Sequence, residues 1–106
     1  VWIKIYYYYI GGFMRFDRLL FGTAGVPNST PKKGNPVDGV KTVHHLGLDC
    51  MQLEFAHGVR MKEEVSSSLR KASYELGVPL TSHGPYYINL NAREQDKIDK
   101  ILLLFQ

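Results

Sequence analysis

The sequence predicts an α/β fold made of consecutive βα units. Three observations carry that prediction: a strand-then-helix pattern recurring about every thirty residues from Arg18 onward, short hydrophobic strands bounded by turn residues, and capping residues at the helix ends. Three such units are visible. Parallel strands need crossovers of this kind, and those crossovers are right-handed, so the helices are expected on one face of the sheet.

The first strand is expected over RLLFGTA, Arg18 to Ala24, followed by a loop with Gly25, Pro27, Pro31 and Gly34, all turn formers. Asn35 then serves as N-cap with Pro36 at the first helical position, where its missing N–H costs nothing. That helix ends at Gly47, and Val37, Val40 and Val43, extended to Leu46, recur at three-residue spacing as one apolar stripe. In the second strand, DCMQLEF from Asp49 to Phe55, Met51, Leu53 and Phe55 alternate with Cys50, Gln52 and Glu54. A period of two sends the two sets to opposite faces, the apolar set toward the helices.

The second helix is expected from about Lys62 to Leu76, with Val65, Leu69, Ala72 and Leu76 inward and Gly77 as a left-handed cap. The third strand is VPLTS, Val78 to Ser82, ending at His83. A third helix from about Arg93 to Phe105 would turn Ile98, Ile101, Leu102 and Phe105 inward.

The chain has 106 residues, 44% hydrophobic and 22% charged, the balance of a globular domain and too apolar for a disordered one. Three parallel strands leave two unpaired edges and one naked face, which a stable α/β domain does not normally tolerate. A complete (β/α)₈ barrel takes about 250 residues. The expectation is therefore that residues 14–106 form the first three βα units of such a barrel.

The opening VWIKIYYYYIGGFM stands apart, with four consecutive tyrosines and no small-residue cleavage site. It is too short and too polar to span a bilayer. Two readings stay open for residues 1–13: an extension upstream of Met14, or an extra strand over Trp2 to Ile10, whose aromatic and β-branched run has high strand propensity. The single Cys50 excludes a disulfide framework and a Cys-based zinc ribbon, and points to a reducing, cytoplasmic compartment. A net charge of +3 suits a polyanionic partner without reaching that of a nucleic-acid-binding tail.

The chemistry-bearing segment is TSHGPYYINLN, Thr81 to Asn91, which sets a histidine, a tight Gly-Pro turn, two tyrosines and two asparagines directly after a strand. Catalytic groups of barrels gather at such strand ends. By parity His83 shares a face with Thr81, and a neutral imidazole there is a zinc ligand by type, or a hydrogen-bonded structural residue. Glu54 ends the second strand as a lumen-directed carboxylate, and His57 lies in the following loop, within reach of a site or of solvent alone. His44 and His45 are adjacent on the first helix, about a hundred degrees apart, and cannot both face one metal. No P-loop, GxGxxG, HExxH, nucleophile elbow or EF-hand is present. The NST at Asn28 is an acceptor sequence without a secretory signal.

HGPYYINL resembles the segment after the third strand in endonuclease IV, the zinc-dependent apurinic/apyrimidinic endonuclease family, in which a histidine, a tyrosine three residues on and Ile-Asn-Leu recur. The likeness runs from about Met14 to Ile101 and takes in FGTAGVP and the loop with Arg60. It implies that His83 is a ligand of a zinc cluster, and that Tyr86 and Arg60 enter the duplex beside the lesion. Read without it, Tyr86 is an aromatic lid and Arg60 a solvated cation. Glu54 and His57 would stand behind the ligands, outside the metal's own shell. The implied protein is a monomeric DNA-repair hydrolase whose partner is double-stranded DNA with abasic sites. The chain alone, short of most ligands, would be inactive.

Two departures count. The family's first strand commonly ends in Gly-x-His, whereas FGTAGVP has no histidine, and GPYY replaces the residues usual after the metal histidine in bacterial members. Xylose-isomerase-like sugar isomerases and epimerases share the barrel and its divalent metals, and are the alternative.

Overall fold

The computed structural model describes residues 6–9, 12–15 and 18–103. Its centre is a three-stranded parallel sheet, β3 (Gly22–Ala24), β4 (Cys50–Glu54) and β5 (Leu80–His83), in that spatial order. The elements α1 (Pro36–His45), α2 (Glu63–Leu76) and α3 (Gln95–Leu103) each follow a strand of that sheet. Ahead of them β1 (Tyr6–Tyr9) and β2 (Gly12–Arg15) form a separate antiparallel pair, with Tyr6 opposite Arg15 and Tyr9 opposite Gly12. That pairing runs across the boundary expected at Met14 and joins the tyrosine run to the residues after it. Trp2, at the start of the expected strand, lies outside the described residues.

The helix ends follow the capping chemistry. Asn35 Oδ1 accepts hydrogen bonds from the backbone N–H groups of Val37 at 3.0 Å and Asp38 at 3.2 Å, satisfying two donors that the first turn of α1 leaves free. Gly77 closes α2 at φ +64°, in the left-handed region. Just beyond, the buried Ser73 hydroxyl donates to the Val78 carbonyl at 2.7 Å, tying the end of α2 to the approach to β5.

Val40, Val43, Met51, Leu69, Ala72 and Val78 form the buried core, with Val37, Leu48, Leu53, Met61, Leu76 and Leu80 packed on it. Residues of α1 and α2 thus meet the Met51 side of the sheet. Gly39 lets α1 come close: a methyl there would stand 3.1 Å from Met51 Sδ and 3.1 Å from Val26 Cγ1.

Three expectations need correction. β3 is shorter than Arg18 to Ala24, because Arg18 and Phe21 are spent on Asp49: the guanidinium donates to the carboxylate at 2.5 Å and the Phe21 N–H at 2.9 Å. Leu46 does not join the apolar stripe, since it is the C-cap of α1 and points to solvent. On α3, Leu102 is exposed and Ile98 and Ile101 are half-buried, so the predicted stripe is only partly covered among the described residues. Phe105 lies outside them.

Candidate functional site

Register fixes the two faces of the sheet. Met51 pairs with Leu80 and Leu53 with Ser82, and partners in register on parallel strands point the same way. Met51 is wholly buried under the helices. The other face therefore carries Gly22, Ala24, Cys50, Gln52, Glu54, Thr81 and His83. Glu54 and His83 are partners at the carboxyl ends of β4 and β5, and both are exposed. One carboxylate and one imidazole thus stand side by side where parity predicted.

Two loops extend this edge. The β4–β5 ladder continues through the Phe55 N–H, which donates to the His83 carbonyl at 3.0 Å, and the Tyr86 N–H donates to the Ala56 carbonyl at 3.4 Å. His57 and Tyr86 then meet edge to face with ring centroids 6.1 Å apart, and Tyr86 meets Tyr87 the same way at 5.8 Å. Both tyrosines remain largely exposed, Tyr86 at 76%. Gly58, at φ +105°, faces the Tyr87 hydroxyl, which would lie 3.4 Å from a methyl at that position. The sequence reading gave Tyr87 no role; the adjacent tyrosine pair was the signal for it.

On the other side of Glu54 opens a cleft of about 620 Å³. Gly25, Val26, Gly34 and Pro36 from the β3–α1 connection line one wall, and Gly58, Arg60, Met61, Lys62 and Val65 the other. Gln52 to Phe55 form its floor. Gly25, at φ +81°, has room only for the Glu54 side chain beside it, 3.4 Å from where a methyl would sit. Arg60 makes no ion pair among the described residues. It shares the cleft with Glu54, whereas His83, His57 and Tyr86 stand outside that lining.

No three His, Cys, Asp or Glu side chains among the described residues converge as a metal site. Glu54 and His83 are donors of the types zinc takes, but a catalytic zinc site uses three protein ligands, so this pair is part of a donor set at most. Cys50, on the same face, has its thiol pushed up by burial and by the neighbouring Asp49 charge, the opposite of a reactive thiolate. His44 and His45 end α1 as exposed residues and take no part. No helix among the described residues is long and apolar enough to cross a membrane.

No protein-family model matches the chain, and no solved structure does. The chain is similar to an uncharacterized protein of Methanocaldococcus jannaschii, with 42% identity over 81 residues. That stretch covers 76% of this chain and 28% of the relative, so the chain spans little more than a quarter of the length of the protein it matches.

Proposed function

We propose that the chain forms the first three βα units of a (β/α)₈ barrel of the endonuclease IV type, a metal-dependent hydrolase acting on the DNA backbone at abasic sites. The observation that supports this reading is the juxtaposition of Glu54 and His83 in register on the open face, with Arg60 and Tyr86 on the loops that leave those two strands. A barrel lumen is lined by such an open face, and its catalytic rim is the carboxyl edge of the strands. That the relative is nearly three times as long as the chain agrees with a larger domain.

His83 would hold one metal, and Glu54 would orient the imidazole or complete its shell, the usual task of a carboxylate beside a ligating histidine. Bound zinc would supply charge neutralisation at the phosphate and acidify a water. The chain's own part in recognition falls to Tyr86 and Arg60. An abasic nucleotide has lost its stacking and leaves the helix at small cost. Tyr86, exposed and backed by His57 and Tyr87, offers a ring to fill the gap, and Arg60 offers a cation with no ion-pair partner among the described residues.

The test is made on the full-length protein. His83→Ala should remove incision, since a metal ligand acts on the transition state and its loss costs orders of magnitude in rate. Tyr86→Ala should weaken binding to abasic DNA by one or two decades, from a stacking contribution of about 1–3 kcal/mol, and change the rate at saturating DNA less. Turnover of ketose or aldose sugars by the wild type, with abasic DNA left uncut, replaces this reading by a sugar isomerase.

A further inference from the structure

The charge of the chain is unevenly placed. The three connections that leave the carboxyl ends of β3, β4 and β5, residues 25–35, 55–62 and 84–94, hold Lys32, Lys33, Arg60, Lys62 and Arg93 against one carboxylate, Glu94, which pairs with Lys97 of α3. The chain as a whole is only +3, so these loops, at +4, leave everything outside them at net −1. Pairing follows the same division. Arg18 pairs with Asp49, Lys41 with Asp38, Lys71 with Glu75 and Lys97 with Glu94, whereas none of the five loop cations has an ion-pair partner among the described residues. Lys100, on α3, is likewise without one. Glu63 and Glu64, which follow the second loop, sit in the first turn of α2, where the backbone dipole already engages them.

The loops also form one continuous border. The first two face each other across the cleft through Gly34, Arg60 and Lys62. The second and third are joined by the Tyr86–Ala56 hydrogen bond and the His57–Tyr86 contact. Five unneutralised cations on such a border are arranged for a ligand that presents many anions along its length. A single small acid would engage one or two of them.

We infer that Lys32, Lys33, Lys62 and Arg93 join Arg60 in a cationic rim that tracks the phosphates of duplex DNA. The rim positions the duplex over the strand ends and carries no sequence information, as phosphate contacts generally do. The choice of DNA as partner rests on the reading proposed above. The rim itself rests on the charge distribution.

Each phosphate contact releases counterions and steepens the salt dependence of binding by about 0.9 in the slope of log K against log salt. The full-length protein should therefore bind a short fluorescein-labelled intact duplex, read by anisotropy, with the rim contributing about 4 to 5 to the slope. Lys32→Gln with Lys33→Gln should flatten that slope by about 2 and Lys62→Gln by about 1, while Lys41→Gln and Lys71→Gln, which remove the same charge from paired helix positions, should leave it unchanged. Circular dichroism checks each variant, and Lys62→Arg should restore the slope. Equal flattening by the helix variants, or tighter binding to duplex RNA than to DNA, overturns the inference. Because intact DNA is the probe, the outcome is independent of incision: a steep, rim-dependent slope with no cutting of abasic DNA by the full-length protein keeps the rim and removes the endonuclease.

Discussion

Two residues of β4, Met51 and Glu54, have opposite surroundings. Met51 has no exposed surface and is packed among Val40, Val43 and Leu69, whereas Glu54, three positions on and on the other face, is exposed beside His83. One strand thus contributes its odd side to the core and its even side to the candidate site, because successive side chains alternate across the pleat. The division separates two kinds of free energy. Burial on the first side holds the fold; chemistry on the second can vary with little structural cost.

The strongest test of that division is a pair of truncations read by chemical denaturation of the chain. Met51→Ala should cost about 2–5 kcal/mol, because it removes transfer energy and leaves a cavity between α1 and the sheet. Glu54→Ala and His83→Ala should each stay within about 0.5 kcal/mol of the wild type, as exposed positions do. Similar losses on both sides would mean that the open face is covered and structural.

Gly22 sharpens the comparison by breaking it. It lies on the open face, in register with Cys50, yet a methyl there would run into the Cys50 backbone carbonyl and its sulfur. Close approach of β3 to β4 sets this requirement, not the face. Gly22→Ala should therefore cost about 1–3 kcal/mol, as overpacking does. Ala24→Ser, on the same face and exposed, is the control and should change stability by less than about 0.5 kcal/mol. Equal effects of the two would return Gly22 to the ordinary open-face class.

How much of this was legible in the sequence follows from which signals are local. The cap at Asn35, the left-handed turn at Gly77 and the alternation along β4 are properties of a few consecutive residues, and each reappears in the fold. Strand parity then carried Glu54 and His83 to one face and one edge. What alternation and capping do not encode is partnership across distance. The Arg18–Asp49 pair shortened β3, and no periodicity announces an ion pair between residues 31 apart. Packing of Tyr86 on His57 and of Tyr87 over Gly58 joins two loops whose own sequences are aperiodic. On α3 the helical period was read correctly and the burial was not, because a stripe is buried only if something lies against it. The β1–β2 pair lies in a stretch whose aromatic run carries strand propensity but no period that names a partner.

The smallest expected effect lies at the opposite end of β4, where Asp49 precedes the strand. Its carboxyl is held down from 3.8 to about 2, first by the hydrogen bond from the Arg18 guanidinium and then by that from the Phe21 N–H. A carboxylate with a depressed folded pKa contributes stability that is fully present above its unfolded pKa and disappears as pH falls through the folded value. The window is therefore from about pH 4 down to about pH 2. Asp49→Asn keeps an oxygen for the Phe21 N–H but removes the charge. Its melting temperature should lie below that of the wild type at neutral pH, by less than for Gly22→Ala, because Arg18 is well exposed and such pairs are screened. The gap should narrow steadily below pH 4 and close near pH 2, and added salt should narrow it at neutral pH. A gap that stays constant across that window would show that Asp49 acts through backbone geometry alone, and that the amino end of β4 is fixed by hydrogen bonds and not by charge.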